Sequence, residues 1–424
     1  MITVLLAVLV IAFIINIPIG FAMGLAALAS LLLTGIMPVQ MLPQRMVAGI
    51  NSFPLLAIPL FMMAGSIMER GGISRRIVEL ASALVGHFQG GLAAVSVMAC
   101  TFFASISGSA PGTAAAVGEL TIPEMVKRGY SKPFASSVVA SASCLGVVIP
   151  PSITFILFGI VADVSIGQLF VAGIVPGFLL SAALIAVSVI RSRQLGYPAE
   201  EKQRWRQRWK RFFEASWGIL MPVIILGGIM TGVFTPTESA GIAVVYGLFV
   251  SMFIYKELGW QDIPAVFYKA SLNSAMIVLL IAVASPFGWI MTIEQVPQMA
   301  SSTILGLSAN MYIILMLMIV MYLILGTFME TGAIILLVVP IFAPIAQQLG
   351  IDMVHFGVIT VVALAIGMAT PPVGITLFAT CSISGVSMGQ LSRMIIPFLV
   401  ALIGCLLLIA FVPAISTFLP RLVF

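Results

Sequence analysis

The sequence predicts an all-α polytopic membrane protein with about ten spans, two re-entrant hairpins and an internal repeat. Its 424 residues are 61% hydrophobic and only 8% charged, whereas soluble domains carry about 25% charged residues. Apolar runs of about 20 residues, the length at which a helix crosses a bilayer, recur along the whole chain. A double proline interrupts two of these runs. The composition indicates a membrane protein, the apolar runs indicate membrane-spanning helices, and the two double prolines indicate an internal repeat.

The double prolines lie in two similar motifs, GVVIPPS at Gly146–Ser152 and GMATPPV at Gly367–Val373. A double proline cannot continue a helix, because it removes two N–H donors and frees the carbonyls one turn earlier. At membrane depth, such carbonyls must be buried in protein or line a water-filled site. Broken helices in corresponding positions of two halves are typical of a transporter's binding site. The motifs therefore predict a secondary transporter.

The first half, residues 1–190, is predicted to contain five spans and one hairpin. The spans are expected at about 1–15, 17–34, 47–68, 134–160, which is the broken one, and 166–190. Residues 69–89 are polar and amphipathic, which indicates an interfacial segment. Residues 91–123 are too few for two full spans and have a Gly- and Ser-rich centre, so they are predicted to form a re-entrant hairpin.

A basic loop, residues 191–215, separates this half from the second half, residues 216–424. Spans are expected at about 216–234, 236–255, 268–290, 356–381, which is the broken one, and 394–418. A second hairpin is expected within 305–347, with its tip near Gly326–Gly332. The run Arg191–Arg211 holds eight of the 19 Lys and Arg residues. In so apolar a chain this predicts a cytoplasmic loop and not a nucleic-acid site.

The two halves match at an offset near 221, which places Gly146 on Gly367 and Pro123 on Pro344. With the basic loop inside, five spans per half put both termini outside, in the periplasm, and give the halves opposite topologies. Of all Lys and Arg residues, only Arg45 and Arg421 then lie outside. The first hairpin opens inward and the second outward. This is the arrangement of an inverted-repeat transporter.

Each half offers a hairpin tip and a broken helix that are rich in hydroxyls and free carbonyls, which are hard oxygen donors for a small cation. Half-helix N-termini at the same place favour an anion such as a carboxylate. Together they predict Na⁺-coupled uptake of an organic acid, without an organic cofactor. The first candidate cation set is Ser105, Ser107, Gly146, Ile149 and Pro151, and the second is Gly326, Gly367, Thr370 and Val373. The candidates for the substrate region are Ser107, Gly108, Ser109, Ser152, Thr154, Glu330, Thr331 and Thr376. The alternative for any single one is close helix packing by small residues.

Few charges are available inside the membrane. Glu330, at the second hairpin tip, either caps a half-helix or takes part in ion or proton coupling. The two histidines and four cysteines have no metal-ligand spacing, which leaves Na⁺ as the only expected metal ion. No catalytic constellation and no nucleotide-binding loop occur in the sequence. The sequence thus predicts that the chain is not an enzyme.

The motifs occur in an order and spacing that resemble the large membrane (M) subunit of tripartite ATP-independent periplasmic (TRAP) transporters, within the ion-transporter superfamily. The matching segments are Phe234–Ala240, Gly146–Ser152, Gly367–Gly374 and Ser105–Gly112. The resemblance covers nearly the whole chain. At Glu330, members of this family often carry Asp.

The resemblance implies an elevator mechanism, in which scaffold spans stay fixed while hairpins and broken helices carry the substrate. It implies Na⁺ sites that pair each hairpin with the broken helix of its own half. It also implies three partners besides membrane lipid: a small four-span membrane subunit, a periplasmic substrate-binding protein, and an organic-acid substrate such as a C4-dicarboxylate or sialic acid. The expected location is the bacterial inner membrane. The alternatives are a self-sufficient Na⁺/dicarboxylate-type symporter, an intramembrane enzyme and a channel.

Overall fold

The computed structural model describes residues 1–199, 204–307 and 310–424. Within these ranges the regular structure is helical, with no strand. Parts of two predicted segments, the basic loop 191–215 and the hairpin 305–347, lie outside the described residues, at 200–203 and 308–309.

The helices of the first half end just before the basic segment. They are α1 (Ile2–Ile14), α2 (Ile19–Thr34), α3 (Met41–Ile50), α4 (Ala57–Arg70), α5 (Ile73–Val85), α6 (Gly91–Ser107), α7 (Ala110–Lys127), α8 (Lys132–Ala142), α9 (Leu145–Val148), α10 (Ile153–Ala162) and α11 (Ile166–Gln194). A 3₁₀ turn at Phe53–Leu56 leads into α4.

The helices of the second half follow a similar order. They are α12 (Trp205–Met230), α13 (Pro236–Phe249), α14 (Ile263–Ile293), α15 (Val296–Leu307), α16 (Met311–Phe328), α17 (Thr331–Gln348), α18 (Met353–Gly367), α19 (Ile375–Ser384), α20 (Met388–Phe411) and α21 (Ala414–Val423). A π-helical turn at Val250–Ile254 ends α13.

Eight helical segments in the described ranges are long and apolar enough to cross a membrane, and the pair α8–α9 with α10, bent by 42°, would make a ninth. The prediction of a polytopic all-α membrane protein is thereby confirmed. The helices α1 and α2 are shorter than a full span, at 13 and 16 residues. Asn16, with a positive φ of 61°, and Pro18 separate them, because neither position can continue a helix.

Two predicted spans are divided in the structure, and the described part of the predicted loop 191–215 is largely helical, because α11 extends to Gln194 and α12 begins at Trp205. The span expected at 47–68 is interrupted at Asn51 and Ser52, because Pro54 lies in the first turn of the following helical segment. The residues before the interruption belong to the separate amphipathic helix α3. The span expected at 394–418 ends at Phe411, and Pro413 starts the separate helix α21. In each case proline starts a new helix more readily than it continues an old one.

The two helix pairs α6–α7 and α16–α17 correspond to the two predicted hairpins. Each pair is joined by a short turn, Gly108–Ser109 in the first and Met329–Glu330 in the second. The return arm of each pair packs against the other half of the chain: α7 against α19, and α17 against α10. This exchange places the tips of both pairs beside the proline-broken helices.

Charged groups collect at the two ends of α14, which at 31 residues is about 46 Å long. Near its first turn, Asp262 pairs with Arg70 at 3.3 Å and Lys269 pairs with Glu69 at 3.3 Å. At its other end, Glu294 lies 3.6 Å from the N-terminal ammonium. The charged ends are therefore separated by more than the thickness of a bilayer core.

Candidate functional site

The first hairpin tip is a sharp reversal between α6 and α7. Gly108 has a positive φ of 61° and ends α6. Ser109 then caps α7, because its hydroxyl accepts a hydrogen bond from the amide of Gly112 at 3.4 Å. Ser107 lies at the same turn, with its hydroxyl 3.4 Å from the carbonyl of Ser109. The tip thus presents a glycine and two hydroxyls.

The first break has lost helical donors, because Pro150 and Pro151, joined by a cis peptide bond, have no N–H groups. The carbonyls affected are those of Gly146 and Val147, four residues earlier. The hydroxyl of Ser152 donates to the carbonyl of Val147 at 2.5 Å and also caps α10. The carbonyl of Gly146 has no helical donor, because the residue four positions later is Pro150.

The hairpin tip and the break of the first half touch. A methyl group added at Gly108 would lie 3.0 Å from the carbonyl oxygen of Pro151, and one at Gly146 would lie 2.5 Å from that of Ser109. The hydroxyl of Thr113 also faces Gly146, and it donates to the carbonyl of Ser109 at 2.8 Å. Thr113 was not among the residues predicted from the sequence, although it lies in the hydroxyl-rich segment that follows the tip.

Ser105 and Ile149, which were predicted as cation ligands, have different surroundings. The hydroxyl of Ser105 donates to the carbonyl of Phe102 in its own helix at 2.7 Å. The side chains of both residues line an apolar cavity that reaches α12. Of the predicted first set, the structure therefore groups Ser107, Gly146 and Pro151 at the tip, while the Ser105 side chain faces the cavity.

In the second half, the hairpin meets the broken helix through two glycines. A methyl group added at Gly367 would lie 2.7 Å from the Cα atom of Gly326, and one at Gly326 would lie 2.9 Å from the Cα atom of Gly367. The two backbones therefore approach as closely as glycine permits. Gly326 and Gly367, which were predicted to share a cation site, are in direct contact.

At the second break, Pro371 and Pro372, joined by a cis peptide bond, also lack N–H groups, and other groups donate to the carbonyls of this region instead. The carbonyl of Met368 accepts from the amide and the hydroxyl of Thr376, at 3.1 and 2.9 Å. The amide of Gly374 donates to the carbonyl of Thr327 in the hairpin at 3.0 Å. Thr327, Met368 and Gly374 were not among the predicted residues, because only contacts across the chain identify them.

The remaining predicted residues lie around these two junctions. Thr370 donates its hydroxyl to the carbonyl of Ile366 at 2.8 Å, and Val373 follows the second double proline. Thr154 is buried in the first turn of α10. Glu330 is accessible and precedes α17, with its carboxylate folded toward Gly332 and the buried Thr331. This end of α17 packs near Leu157 of α10.

The region around the two junctions offers groups that bind a cation and groups that bind an anion. Freed carbonyls and hydroxyls offer oxygen ligands for a hard cation. The N-terminal ends of α7 and α10, capped by Ser109 and Ser152, present amides of the type that bind anions. Such a region is chemically suited to a small cation and an anion together.

Comparison with known proteins places the chain in a family. Residues 4–415 match the family model described as "Tripartite ATP-independent periplasmic transporter, DctM component". The chain is 43% identical over 406 residues to the isethionate TRAP transporter permease protein DctMQ of Oleidesulfovibrio alaskensis, covering 96% of this chain and 64% of that protein. It is 37% identical over 419 residues to the C4-dicarboxylate TRAP transporter large permease protein DctM of Rhodobacter capsulatus, covering 96% and 95% of the two chains.

The fold is similar to a solved transporter of much lower sequence identity. The YdaH transporter of Alcanivorax borkumensis superposes with a TM-score of 0.62 at 17% identity, and the match covers 86% of each chain. At this identity the likeness concerns the fold alone. The family model and the relatives, which are named as transporter permeases and not as enzymes, decide the assignment. The chain belongs to the DctM component family of tripartite ATP-independent periplasmic transporters.

Proposed function

We propose that this chain is the large transmembrane subunit of a Na⁺-coupled, binding-protein-dependent importer of an organic anion that works by an elevator mechanism. The observation that carries the proposal is the junction of Gly108 with Pro151 and of Gly146 with Ser109. There, a hairpin tip meets a broken helix whose Gly146 carbonyl has lost its helical donor. The family membership supplies the transport context.

Na⁺ is the coupling ion in this proposal because the junctions offer neutral oxygens. Gly146, Ser107 and Thr113 would provide the first site together with the Pro151 carbonyl. The second site would lie at the Gly326–Gly367 contact, with Thr370 and Val373 beside it. Neutral carbonyl and hydroxyl ligands suit a monovalent hard cation that must also be released.

The proposed cargo is a compact organic anion, such as a C4-dicarboxylate, sialic acid or a related carboxylate. One relative is named for C4-dicarboxylates and another for isethionate, a hydroxyalkyl sulfonate. Carboxylates and sulfonates share a delocalised negative charge that helix N-termini bind. The proposed substrate-region residues are Ser107, Gly108, Ser109, Ser152, Thr154, Glu330, Thr331 and Thr376.

The elevator proposal rests on an internal repeat with inverted topology. Helices α7 and α17 both have 18 residues, and their first residues are 221 apart (331 minus 110). Helices α10 and α19 both have 10 residues, and they start 222 apart (375 minus 153). The reciprocal packing of α7 on α19 and of α17 on α10 supports two structural units that exchange arms.

The proposed partners are a small four-span membrane subunit and a periplasmic substrate-binding protein, in a bacterial inner membrane. The isethionate relative supports a further membrane component, because 36% of its length lies outside the part that this chain spans (100 minus 64). A self-sufficient Na⁺/dicarboxylate-type symporter is the alternative.

Uptake into proteoliposomes tests the proposal. They would contain this chain with its small subunit, and labelled succinate, sialic acid or isethionate would be supplied outside with candidate binding proteins, with or without an inward Na⁺ gradient. Uptake that requires both Na⁺ and a binding protein is expected. Uptake with Na⁺ alone would identify the self-sufficient symporter, and uptake indifferent to Na⁺ would contradict the assigned coupling ion.

A further inference from the structure

A cavity of about 220 Å³ lies between α12 and the first broken helix. Three helices and the break line it. The lining residues are Ile219 and Val223 of α12, Ile174 and Phe178 of α11, Phe102 of α6, and Pro150 of the break. It is larger than apolar cavities of about 150 Å³ that bind benzene. The cavity therefore has room for a segment of hydrocarbon.

The chemistry of the lining favours an apolar occupant. The cavity contains two hydroxyls, and both already have partners. Ser105 donates to the carbonyl of Phe102 at 2.7 Å, and Thr101 is bonded to the carbonyl of Val97 at 2.8 Å and to the hydroxyl of Ser181 at 2.7 Å. A polar ligand would lose most of its hydration here, because the lining offers it no free hydroxyl proton and only the acceptor lone pairs of these two oxygens.

The cavity opens sideways, at mid-membrane depth. Phe178 and Val223 stand at its rim and are 60% and 59% exposed. Phe178 lies 12 residues after Ile166 and 16 before Gln194, so it is about 18 and 24 Å from the two ends of α11. An opening at this depth faces the hydrocarbon of the bilayer, not water.

We infer that this cavity is a binding site for one acyl chain of a membrane phospholipid, inserted behind the first hairpin–break junction. The bound chain contacts Pro150 and the α6 wall on one side and α12 on the other. On the proposed elevator function, which this consequence requires, α6 and the break move while α12 stays fixed. An inserted acyl chain then separates the moving surface of α6 and the break from the fixed surface of α12. The rate of transport therefore depends on whether lipid or a protein side chain fills the cavity.

Photo-crosslinking tests the binding site independently of transport. The full chain is reconstituted in vesicles of phosphatidylethanolamine and phosphatidylglycerol that contain a phosphatidylcholine with a mid-chain diazirine, is irradiated, and is mapped by mass spectrometry. Adducts are expected on Phe102 and Ile174, inside the cavity. Filling the cavity by Ile219→Trp should abolish these adducts. Leu220→Trp, a change at the next residue, which is exposed and outside the lining, should retain them.

Three results would overturn the inference: adducts restricted to outward-facing side chains such as Leu220, adducts on Phe102 that persist in Ile219→Trp, or loss of the inner adducts once the small subunit is added. The last result would mean that the partner protein fills the cavity. If Ile219→Trp does not fold, Ile174→Phe replaces it, because it fills the cavity from the α11 side. The adducts on Phe102 are then compared between Ile174→Phe and Leu220→Trp.

Uptake measured on the same vesicles tests the consequence. Ile219→Trp is expected to change the uptake rate relative to Leu220→Trp and to wild type. Equal rates in a folded Ile219→Trp that has lost its adducts would contradict the role in transport. Absence of uptake in wild type would contradict the proposed function, whereas the crosslinking result would still decide the lipid site.

Discussion

At the residue scale, each break depends on a hydroxyl that replaces an amide lost to proline. Ser152 donates to Val147 and Thr376 donates to Met368, and the two acceptors lie 221 residues apart (368 minus 147). A hydroxyl therefore donates to the equivalent acceptor in both halves, and at Met368 the amide of Thr376 donates as well. The carbonyls one residue earlier differ: that of Gly367 accepts from the amide of Thr370 at 2.9 Å, whereas that of Gly146 has no helical donor. This difference makes Gly146 the sharpest single residue to test.

We expect Gly146→Ala to weaken Na⁺ activation of uptake, because its methyl group would lie 2.5 Å from the Ser109 carbonyl. Overpacking costs about 1–3 kcal/mol, so the Na⁺ concentration for half-maximal uptake should rise by about 5- to 140-fold if that cost falls on Na⁺ binding. The matched control is Gly404→Ala in α20, which has no atom within 4 Å of the added methyl group. Equal Na⁺ activation in the two folded variants would remove Gly146 from the site.

A second residue-scale prediction concerns His355, which is buried and joins α18 to α21. Its Nδ1 atom lies 2.6 Å from the hydroxyl of Ser416. Ser416→Ala leaves this nitrogen without that partner, which typically costs about 1–3 kcal/mol, so the melting temperature in detergent should fall. Ser382→Ala, an exposed serine bonded only to the carbonyl of Phe378 in its own helix, should melt like wild type. Equal melting of both variants would show that the His355–Ser416 contact does not contribute to stability.

At the element scale, the sequence predicted most helices but not every boundary. The apolar runs identified the long helices, and the double prolines identified both breaks, because these signals are local. The helix α3 escaped notice because it is short and has no buried residue. The facing of Ser105 toward the apolar cavity and the contact of Gly326 with Gly367 depend on how elements pack, which no local pattern encodes. Thr113, Thr327 and Gly374 were missed for the same reason.

Helix α5 is tied to the second half by ion pairs. Arg75 and Arg76 both contact Glu257, at 2.6 and 2.8 Å, and Arg76 also stacks on Tyr255 at 3.8 Å. We expect Glu257→Gln to lower the melting temperature by a few degrees at most, because such partly exposed pairs are worth about 1 kcal/mol or less. The difference from wild type should shrink in high salt, which screens these charges.

The control for this element is Glu124→Gln, which removes ion pairs local to the end of α7, with Lys127 at 4.0 Å and Arg128 at 3.3 Å. It should change the melting temperature less, because it does not connect separate elements. A Glu257→Gln effect that does not depend on salt would mean that the side chain acts through packing and not through charge.

At the scale of the whole molecule, the distribution of charge defines two faces. The ion pairs of Glu69, Arg70, Arg75 and Glu257 gather at the start of α14. The basic first turns of α12 join this face, because Arg211 pairs with Glu79 of α5 at 2.7 Å. The other end has the pair of Glu294 with the N-terminal ammonium. Because cytoplasmic segments collect Lys and Arg, the first face should be cytoplasmic and the second periplasmic.

This orientation predicts the outcome of labelling single cysteines with a membrane-impermeant maleimide, in a background from which the four native cysteines have been removed. Asp163→Cys, in the exposed turn after α10, should be labelled in intact spheroplasts, because it lies on the face assigned to the periplasm. Lys210→Cys, at the exposed start of α12, should be labelled only after permeabilisation. The opposite pattern would invert the whole molecule, and with it the directions in which the two hairpins open. Labelling of both cysteines from one side would contradict the odd number of spans predicted between them, and therefore the opposite topologies of the two halves.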